Sequence, residues 1–243
     1  MACASLAQQA PPPAPPTPPA PQTATPPAVQ APAAAPAFTV VLDPGHGGTD
    51  PGARGASGVI EKDVTLVLAK IVQHQLERQG FRVVFTRQSD ENPSFDDRAA
   101  TANAEHNAVF ISLHVASMGA TGTATAFSLP ATGAPKSGAE AAPEAAGGLV
   151  RWRDAQQKYL AQSRKLAEFI QVQLRQKLRG SPEVPQSAPV RQLRSVTAPA
   201  VAVELASVAV ADRKPLDAAA AALAEAITRG VAAFKTTHES GAN

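Results

Sequence analysis

From residue 38 onward, short apolar runs alternate with segments whose apolar residues recur every three or four positions. The runs at 38–42, 81–86 and 108–113 have the length and the β-branched and aromatic content of buried strands. Residues 61–80 have the apolar spacing of a helix, and a second helix is predicted from about 96 to 105. Strand, helix and strand in this order predict a βαβ unit and therefore a parallel sheet.

The second half of the chain continues the alternation with longer helices. Residues 123–129 and 200–205 are predicted strands, residues 149–178 are predicted to be helical, and residues 216–234 form a predicted closing helix. A chain of 243 residues is long enough to bury a substantial core. The pattern predicts one α/β domain over residues 38–236.

Three segments are predicted to lie outside that packed core. Residues 1–37 contain no charged side chain and twelve of the 23 prolines, so they are predicted to form a disordered Pro/Ala-rich linker. Its first ten residues could be the remnant of an export signal if the true start lies upstream. Residues 131–148 are predicted to form a surface loop, either a flexible insertion or a cover for a site. Residues 237–243 are predicted to be a flexible tail.

Composition and charge exclude several kinds of function. The formal net charge is only +2 and aromatic residues make up 4% of the chain, so we expect no nucleic-acid partner. The one cysteine, Cys3, excludes a disulfide framework and a cysteine-based zinc site. No apolar run reaches the roughly 18 residues of a membrane span, so no transmembrane span is expected in this chain. A metal ion here would need histidine and carboxylate ligands.

Two histidines follow predicted parallel strands. His46 lies in the glycine-rich turn DPGHGG after the first strand, and His114 comes directly after the third strand. The carboxyl ends of parallel strands meet at one edge of a sheet, where ligand sites gather. Glu61, at the start of the first predicted helix, would complete a set of two histidines and one carboxylate, as in catalytic zinc sites. Asp43, Asp50 and Asp63 are alternative carboxylates, and a histidine after a strand is more often a plain surface residue.

Two further acidic residues are candidates for roles near this set. Asp43, at the start of the turn, is expected to shape the turn or to orient His46. Glu204 lies toward the end of the apolar run AVAVEL, where a charge is costly unless it is paired or near a metal. Glu204 is therefore the candidate general base, the alternative being a partly exposed glutamate at a strand end.

Six segments of the chain carry a resemblance to a known family. In chain order they are VVLDPGHGGTDPGA, EKDVTL, FRVVFTRQSD, DDRAATAN, AVFISLHVAS and LRSVTAPAVAVEL. Together they resemble the zinc-dependent N-acetylmuramoyl-L-alanine amidases of the amidase-3 type, over most of residues 38–234. The resemblance implies an α/β fold with a mixed, mostly parallel twisted sheet and helices on both faces. It also implies that His46, Glu61 and His114 are ligands of Zn²⁺ and that Glu204 is the catalytic carboxylate.

The resemblance further implies a substrate. The expected reaction is hydrolysis of the amide between N-acetylmuramic acid and L-alanine of the stem peptide, which makes peptidoglycan the partner and the cell envelope, periplasmic or secreted, the place of action. Arg98 and Arg194 match arginine positions of the family and are expected in structural or substrate-positioning roles. Two departures alter the surroundings of the metal set: Ala116 replaces an asparagine of the family, and ELASVAVAD replaces the stretch Glu-x-Gly-Phe-x-Ser-Asn.

Three alternatives to this reading stay open. The same metal set could serve a zinc peptidase or deacetylase that acts on another amide. The altered ELASVAVAD stretch favours a peptidoglycan-binding module that has lost turnover. The predicted loop at 131–148 could hold an amidase inactive until an activator protein binds.

Overall fold

The computed structural model describes residues 38–131 and 152–240, and one sheet organises this part of the chain. Its strands are β1 (Thr39–Pro44), β2 (Arg82–Phe85), β3 (Ala108–Val115), β4 (Ala124–Ser128), β5 (Gln186–Ser187) and β6 (Ala200–Leu205). Their order in the sheet is β2-β1-β3-β6-β4-β5. Strands β2, β1, β3 and β6 are parallel, β4 is antiparallel to β6, and β5 is parallel to β4. The mixed, mostly parallel sheet is confirmed.

Helices cover both faces of the sheet. The α-helices described are α1 (Glu61–Arg78), α2 (Phe95–Asn103), α3 (Leu160–Lys177) and α4 (Lys214–Ser240), with 3₁₀ segments at Trp152–Tyr159 and Arg191–Leu193. Successive strand residues point to opposite faces. Val40 and Leu42 therefore join the apolar core completed by α1, α3 and α4. Val41 joins a smaller cluster on the other face, with Ala99 of α2 and Leu193.

Some predicted boundaries differ from those observed. The helix predicted from residue 149 begins within the described residues as a 3₁₀ segment and is α-helical only from Leu160. Helix α4 continues to Ser240, so residues 237–240, predicted as tail, are helical. The stacking of His238 on Phe234, with ring centroids 5.5 Å apart, accompanies this extension. The predicted linker and nearly all of the predicted loop lie outside the described residues. None of the described helices is long and apolar enough to cross a bilayer.

The register of the parallel strands brings three strand ends together. Pro44 at the end of β1 pairs with Leu113 of β3. His114 of β3 then pairs with Glu204 of β6. The loop after β1 and the last residues of β3 and β6 therefore share the carboxyl edge of the sheet, where α/β folds place their ligands.

Candidate metal centre

A glycine-rich loop places His46 over the carboxyl edge of the sheet. His46 itself adopts a left-handed backbone conformation, with φ of 62°. A side chain at Gly45 would put its Cβ 2.5 Å from the His114 ring. At Gly52, also left-handed, a Cβ would lie 2.5 Å from Glu61 Oε2 and 2.6 Å from the His46 ring. The glycines are thus needed because the backbone passes directly against the three candidate ligands.

Glu61 is the centre of the group. It is the first residue of α1 and only 4% exposed. Its Oε2 accepts a hydrogen bond from the Ala53 N–H at 2.7 Å, and its Oε1 accepts one from the Val115 N–H at 2.9 Å. Oε2 also faces His46 Nε2 at 3.2 Å, and Oε1 faces His114 Nδ1 at 3.0 Å. Burial opposes the charge, but hydrogen bonds with the histidine rings and Ala53 hold the pKa of Glu61 well below its ordinary value.

These three side chains offer a compact set of ligand atoms. One atom each from His46, Glu61 and His114 lie within 4.8 Å of one another, and no other such group is found in the described ranges. Zinc binds nitrogen and oxygen ligands at about 2.0–2.2 Å, so neighbouring ligands of one ion are spaced by roughly 3–3.5 Å. The contacts of Glu61 with the two rings fit that spacing. Two imidazoles and a carboxylate are also the ligand types that zinc accepts in catalytic sites.

The partner of the His46 ring on its other side is Asp50. His46 Nδ1 lies 2.8 Å from Asp50 Oδ2, and the Asp50 side chain is 48% exposed. The hydrogen bond with Glu61 raises the pKa of His46, burial opposes that rise, and Asp50 adds to it. Asp50, and not Asp43, therefore contacts the His46 ring directly. Asp63, the other alternative ligand, is exposed on α1.

Asp43 instead supports His114 from inside the sheet. It is fully buried and accepts hydrogen bonds from Ser112 Oγ, Thr86 Oγ1 and Arg98 Nη1, each at 2.6 Å. Ser112 Oγ in turn lies 3.2 Å from His114 Nε2. The side-chain amide of Gln192, in the second 3₁₀ segment, also lies 3.2 Å from His114 Nε2.

The two predicted arginines lie in different places. Arg98 is 4% exposed and donates to Asp43 and, at 2.8 Å, to the carbonyl of His46. It therefore ties the loop to the buried end of β1. Arg194 is exposed and lines a separate cavity of about 230 Å³, together with Asp154 and Gln157.

Glu204 lies beside the group on the neighbouring strand. It pairs with His114 in the β3–β6 register and is partly buried. Burial raises the pKa of Glu204, the charge of His114 lowers it, and the charge of Glu61 raises it further. Glu204 is thus a carboxyl that holds a proton more readily than an exposed glutamate.

Comparison with known proteins decides the family. Residues 40–233 match the family profile Amidase_3, described as N-acetylmuramoyl-L-alanine amidase. The chain belongs to this family. A solved N-acetylmuramoyl-L-alanine amidase from Clostridium difficile 630 superposes with a TM-score of 0.61 at 26% identity, covering 82% of this chain and 96% of that one.

Two relatives align over shorter stretches of this amidase-3 chain. The sporulation-specific N-acetylmuramoyl-L-alanine amidase of Bacillus subtilis is 41% identical over 98 residues, which are 40% of this chain and 38% of the relative. The amidase AmiC of Neisseria meningitidis is 43% identical over 75 residues, which are 31% of this chain and 18% of the relative. The matches therefore span less than half of either relative's length.

The two departures from the family pattern lie against each other in this amidase-3 domain. The Val208 N–H, within ELASVAVAD, donates to the carbonyl of Ala116 at 2.9 Å. A Cβ at Gly55 would lie 2.1 Å from the Val208 carbonyl oxygen. The altered stretch is thus packed against the loop that leads to Glu61, and Val208 is fully buried.

An open cavity adjoins the candidate metal ligands of the amidase-3 domain. Its volume is about 320 Å³, and it is bordered by the loop after β1, the start of α2 and the second 3₁₀ segment. The lining side chains include His46, Asp50, Phe95 and Gln192.

Proposed function

We propose that the protein is a zinc-dependent N-acetylmuramoyl-L-alanine amidase acting on peptidoglycan in the cell envelope. The bond cleaved is the amide between N-acetylmuramic acid and L-alanine of the stem peptide. The observation that carries the proposal is the convergence of His46, Glu61 and His114 beside Glu204, in a chain whose family is described by this reaction. The amidase names of the relatives support it.

The metal role rests on the donor set. His46, Glu61 and His114 would hold the ion through two imidazoles and one carboxylate, the ligand types of catalytic zinc sites. When bound, zinc supplies Lewis-acid chemistry that polarises the scissile carbonyl and makes water more acidic. The Glu61 carboxylate accepts hydrogen bonds from two backbone N–H groups, which fix its position in the site.

Glu204 performs the proton transfers in this proposal. Its carboxylate takes a proton from the attacking water and returns that proton to the leaving nitrogen. Partial burial, which raises its pKa, suits a group that must both accept and release a proton. Its position beside His114 places it on the neighbouring strand of the metal-binding edge.

Positioning roles fall to the buried charges. Asp43 and Arg98 form an ion pair of 2.6 Å that joins the end of β1 to the His46 loop. The Arg194 side chain lines a cavity that includes none of the candidate ligands, and its carbonyl accepts a hydrogen bond from the Gln156 N–H at 3.2 Å. We therefore propose a structural role for Arg194 rather than contact with the reacting amide.

Substitution of Glu204 by Gln tests the mechanism. The variant should keep stoichiometric zinc, because Glu204 is not a proposed ligand. It should lose about 10²- to 10⁴-fold of the rate at which peptides are released from purified sacculi, because the proton carrier is gone. Glu183→Gln is the matched control, since the Glu183 side chain is 83% exposed and pairs with Arg175 rather than with a candidate ligand. Full activity of Glu204→Gln would remove Glu204 from the mechanism.

Product analysis separates the remaining alternatives. Mass spectrometry of wild-type digests, with and without chelator, should show intact stem peptides with an amino-terminal L-alanine only when metal is present. A different new terminus would indicate another zinc peptidase or amide hydrolase. Sacculus binding with bound zinc and no released peptide would indicate a binding module. The regulatory loop at 131–148, together with its activator protein, stays a prediction because nearly all of it lies outside the described residues.

A further inference from the structure

The ring of His114 has two sides with different surroundings. Nδ1 faces Glu61 Oε1 at 3.0 Å and belongs to the candidate metal site. Nε2 faces away from that site, toward Ser112 Oγ at 3.2 Å. Ser112 is fully buried in β3, two residues before His114 and therefore on the same face of the strand.

The hydrogen bonds behind Ser112 set the direction of its hydroxyl. Ser112 Oγ lies 2.6 Å from Asp43 Oδ2, and a carboxylate paired with a guanidinium can only accept. Ser112 has one hydroxyl proton, and it is used in this bond. The remaining lone pairs of Ser112 Oγ can therefore accept a hydrogen bond from the His114 ring, but Ser112 has no proton left to donate to it.

A histidine that binds a metal through one nitrogen carries its proton on the other. We propose that Ser112, aligned by Asp43, is a positioning residue that keeps the proton of His114 on Nε2 and leaves Nδ1 free for zinc. This inference rests on the proposed zinc site and assigns the metal-binding nitrogen of His114. Asp43 and Ser112 are fully buried, so water does not compete for the bond that aligns the Ser112 hydroxyl.

Gln192 can also accept a hydrogen bond from His114 Nε2–H once its side-chain amide is rotated. Its amide nitrogen lies 3.2 Å from His114 Nε2, and the nitrogen and oxygen of a glutamine amide exchange places when the group turns by half a revolution. With its oxygen toward the ring, Gln192 accepts from the same Nε2–H. Gln192 lines the open cavity, whereas Ser112 is buried, so Ser112 is the stronger constraint.

A pair of variants separates this role from general support of Asp43. Ser112→Ala removes the hydroxyl oxygen that accepts the hydrogen bond from His114 Nε2–H. Thr86→Val removes a donor to Asp43 of the same length, 2.6 Å, but on the oxygen that does not bind Ser112. Zinc affinity, measured by competition with a chelator, should fall about 10- to 100-fold for Ser112→Ala. It should stay close to wild type for Thr86→Val.

The outcomes decide between three explanations. Wild-type affinity of Ser112→Ala would overturn the proposal, and so would an equal loss in both variants, which would point to Asp43 and the sheet alone. Unfolding curves of the metal-free proteins check that both variants are folded. A wild-type protein that binds no zinc would refute the proposed metal site itself.

A measurement on the wild type keeps the test independent of the variants. Long-range ¹⁵N–¹H NMR spectra of the zinc-loaded protein distinguish a protonated ring nitrogen from a metal-bound one. The spectra should show the His114 proton on Nε2. A proton on Nδ1 would overturn the assignment, even if Ser112→Ala failed to fold.

Discussion

The two histidines of the candidate centre reach it by opposite means. His46 sits on a loop, presents Nε2 to Glu61 and has an exposed partner, Asp50, four residues away in the sequence. His114 sits on a strand and presents Nδ1 to Glu61. Its other nitrogen is backed by the buried chain through Ser112 to Asp43, which are 69 residues apart in the sequence.

Because of this difference, substitutions beside the two histidines should affect metal binding and folding stability to different degrees. Ser112 and Asp43, which lie behind His114, are part of the sheet, so a change there disturbs the core as well as the ligand. The partner of His46 is local and partly in water, so a change there should affect the ligand with little effect on folding. One centre thus combines a ligand held by tertiary packing with a ligand held by a turn.

The largest expected contrast is between the two aspartates. Asp43→Asn leaves Arg98 buried without its charge partner, and this should lower the free energy of unfolding by about 3–5 kcal/mol. Urea unfolding of the metal-free protein measures the change, with Asp50→Asn as the exposed control. Equal stability of the two variants would contradict this comparison, because Asp43 would then contribute no more to folding than Asp50 does.

A glycine pair tests the loop side. Gly52→Ala brings a Cβ within 2.6 Å of both Glu61 and His46, whereas Gly58→Ala, also at a positive φ, meets open space. Both should lose about 1–2 kcal/mol of stability from backbone strain. Only Gly52→Ala should also weaken zinc binding in a chelator competition. Equal zinc affinities of the two variants would show that the loop adjusts without moving the ligands.

The smallest change in stability is expected for Asp50→Asn. Its free energy of unfolding should change by only about 0–1 kcal/mol, since the lost pair is exposed. Its zinc affinity should fall about 10-fold, because an amide supports the His46 ring less strongly than a carboxylate. Calorimetric titration with zinc measures the second effect. A loss of stability comparable to that of Asp43→Asn would contradict the local role assigned to Asp50.

Much of the fold could be read from local pattern. The strands at β1, β3 and β6 are short apolar runs with few rivals for that assignment, and α1 has regular apolar spacing up to its end. Boundaries were less predictable: α4 extends to Ser240 and the segment before α3 is a 3₁₀ helix. At the end of α4, His238 stacks on Phe234, a contact that the apolar spacing alone does not reveal.

The residues that position the candidate ligands are harder to predict from the sequence. The alternation of a strand could have pointed to Ser112, because it shares a face with His114. Gln192 offered no such signal, since it lies in a short 3₁₀ segment far along the chain. Asp43 is close to His46 in the sequence, but its Oδ2 accepts a hydrogen bond from Ser112 of the neighbouring strand, a contact that no local pattern indicates.

The amino-acid order alone specified the elements and the residue types available for metal chemistry, because apolar period and glycine-rich turns are local properties of the chain. The pairing of those residues came from the sheet. The parallel register places His114 beside Glu204 and β1 beside β3. Asp43 is fully buried there, opposite Ser112. Hydrogen bonds between groups far apart in sequence form only after strands have paired, so only the tertiary structure determines that Nδ1 of His114 faces Glu61 while Nε2 faces Ser112.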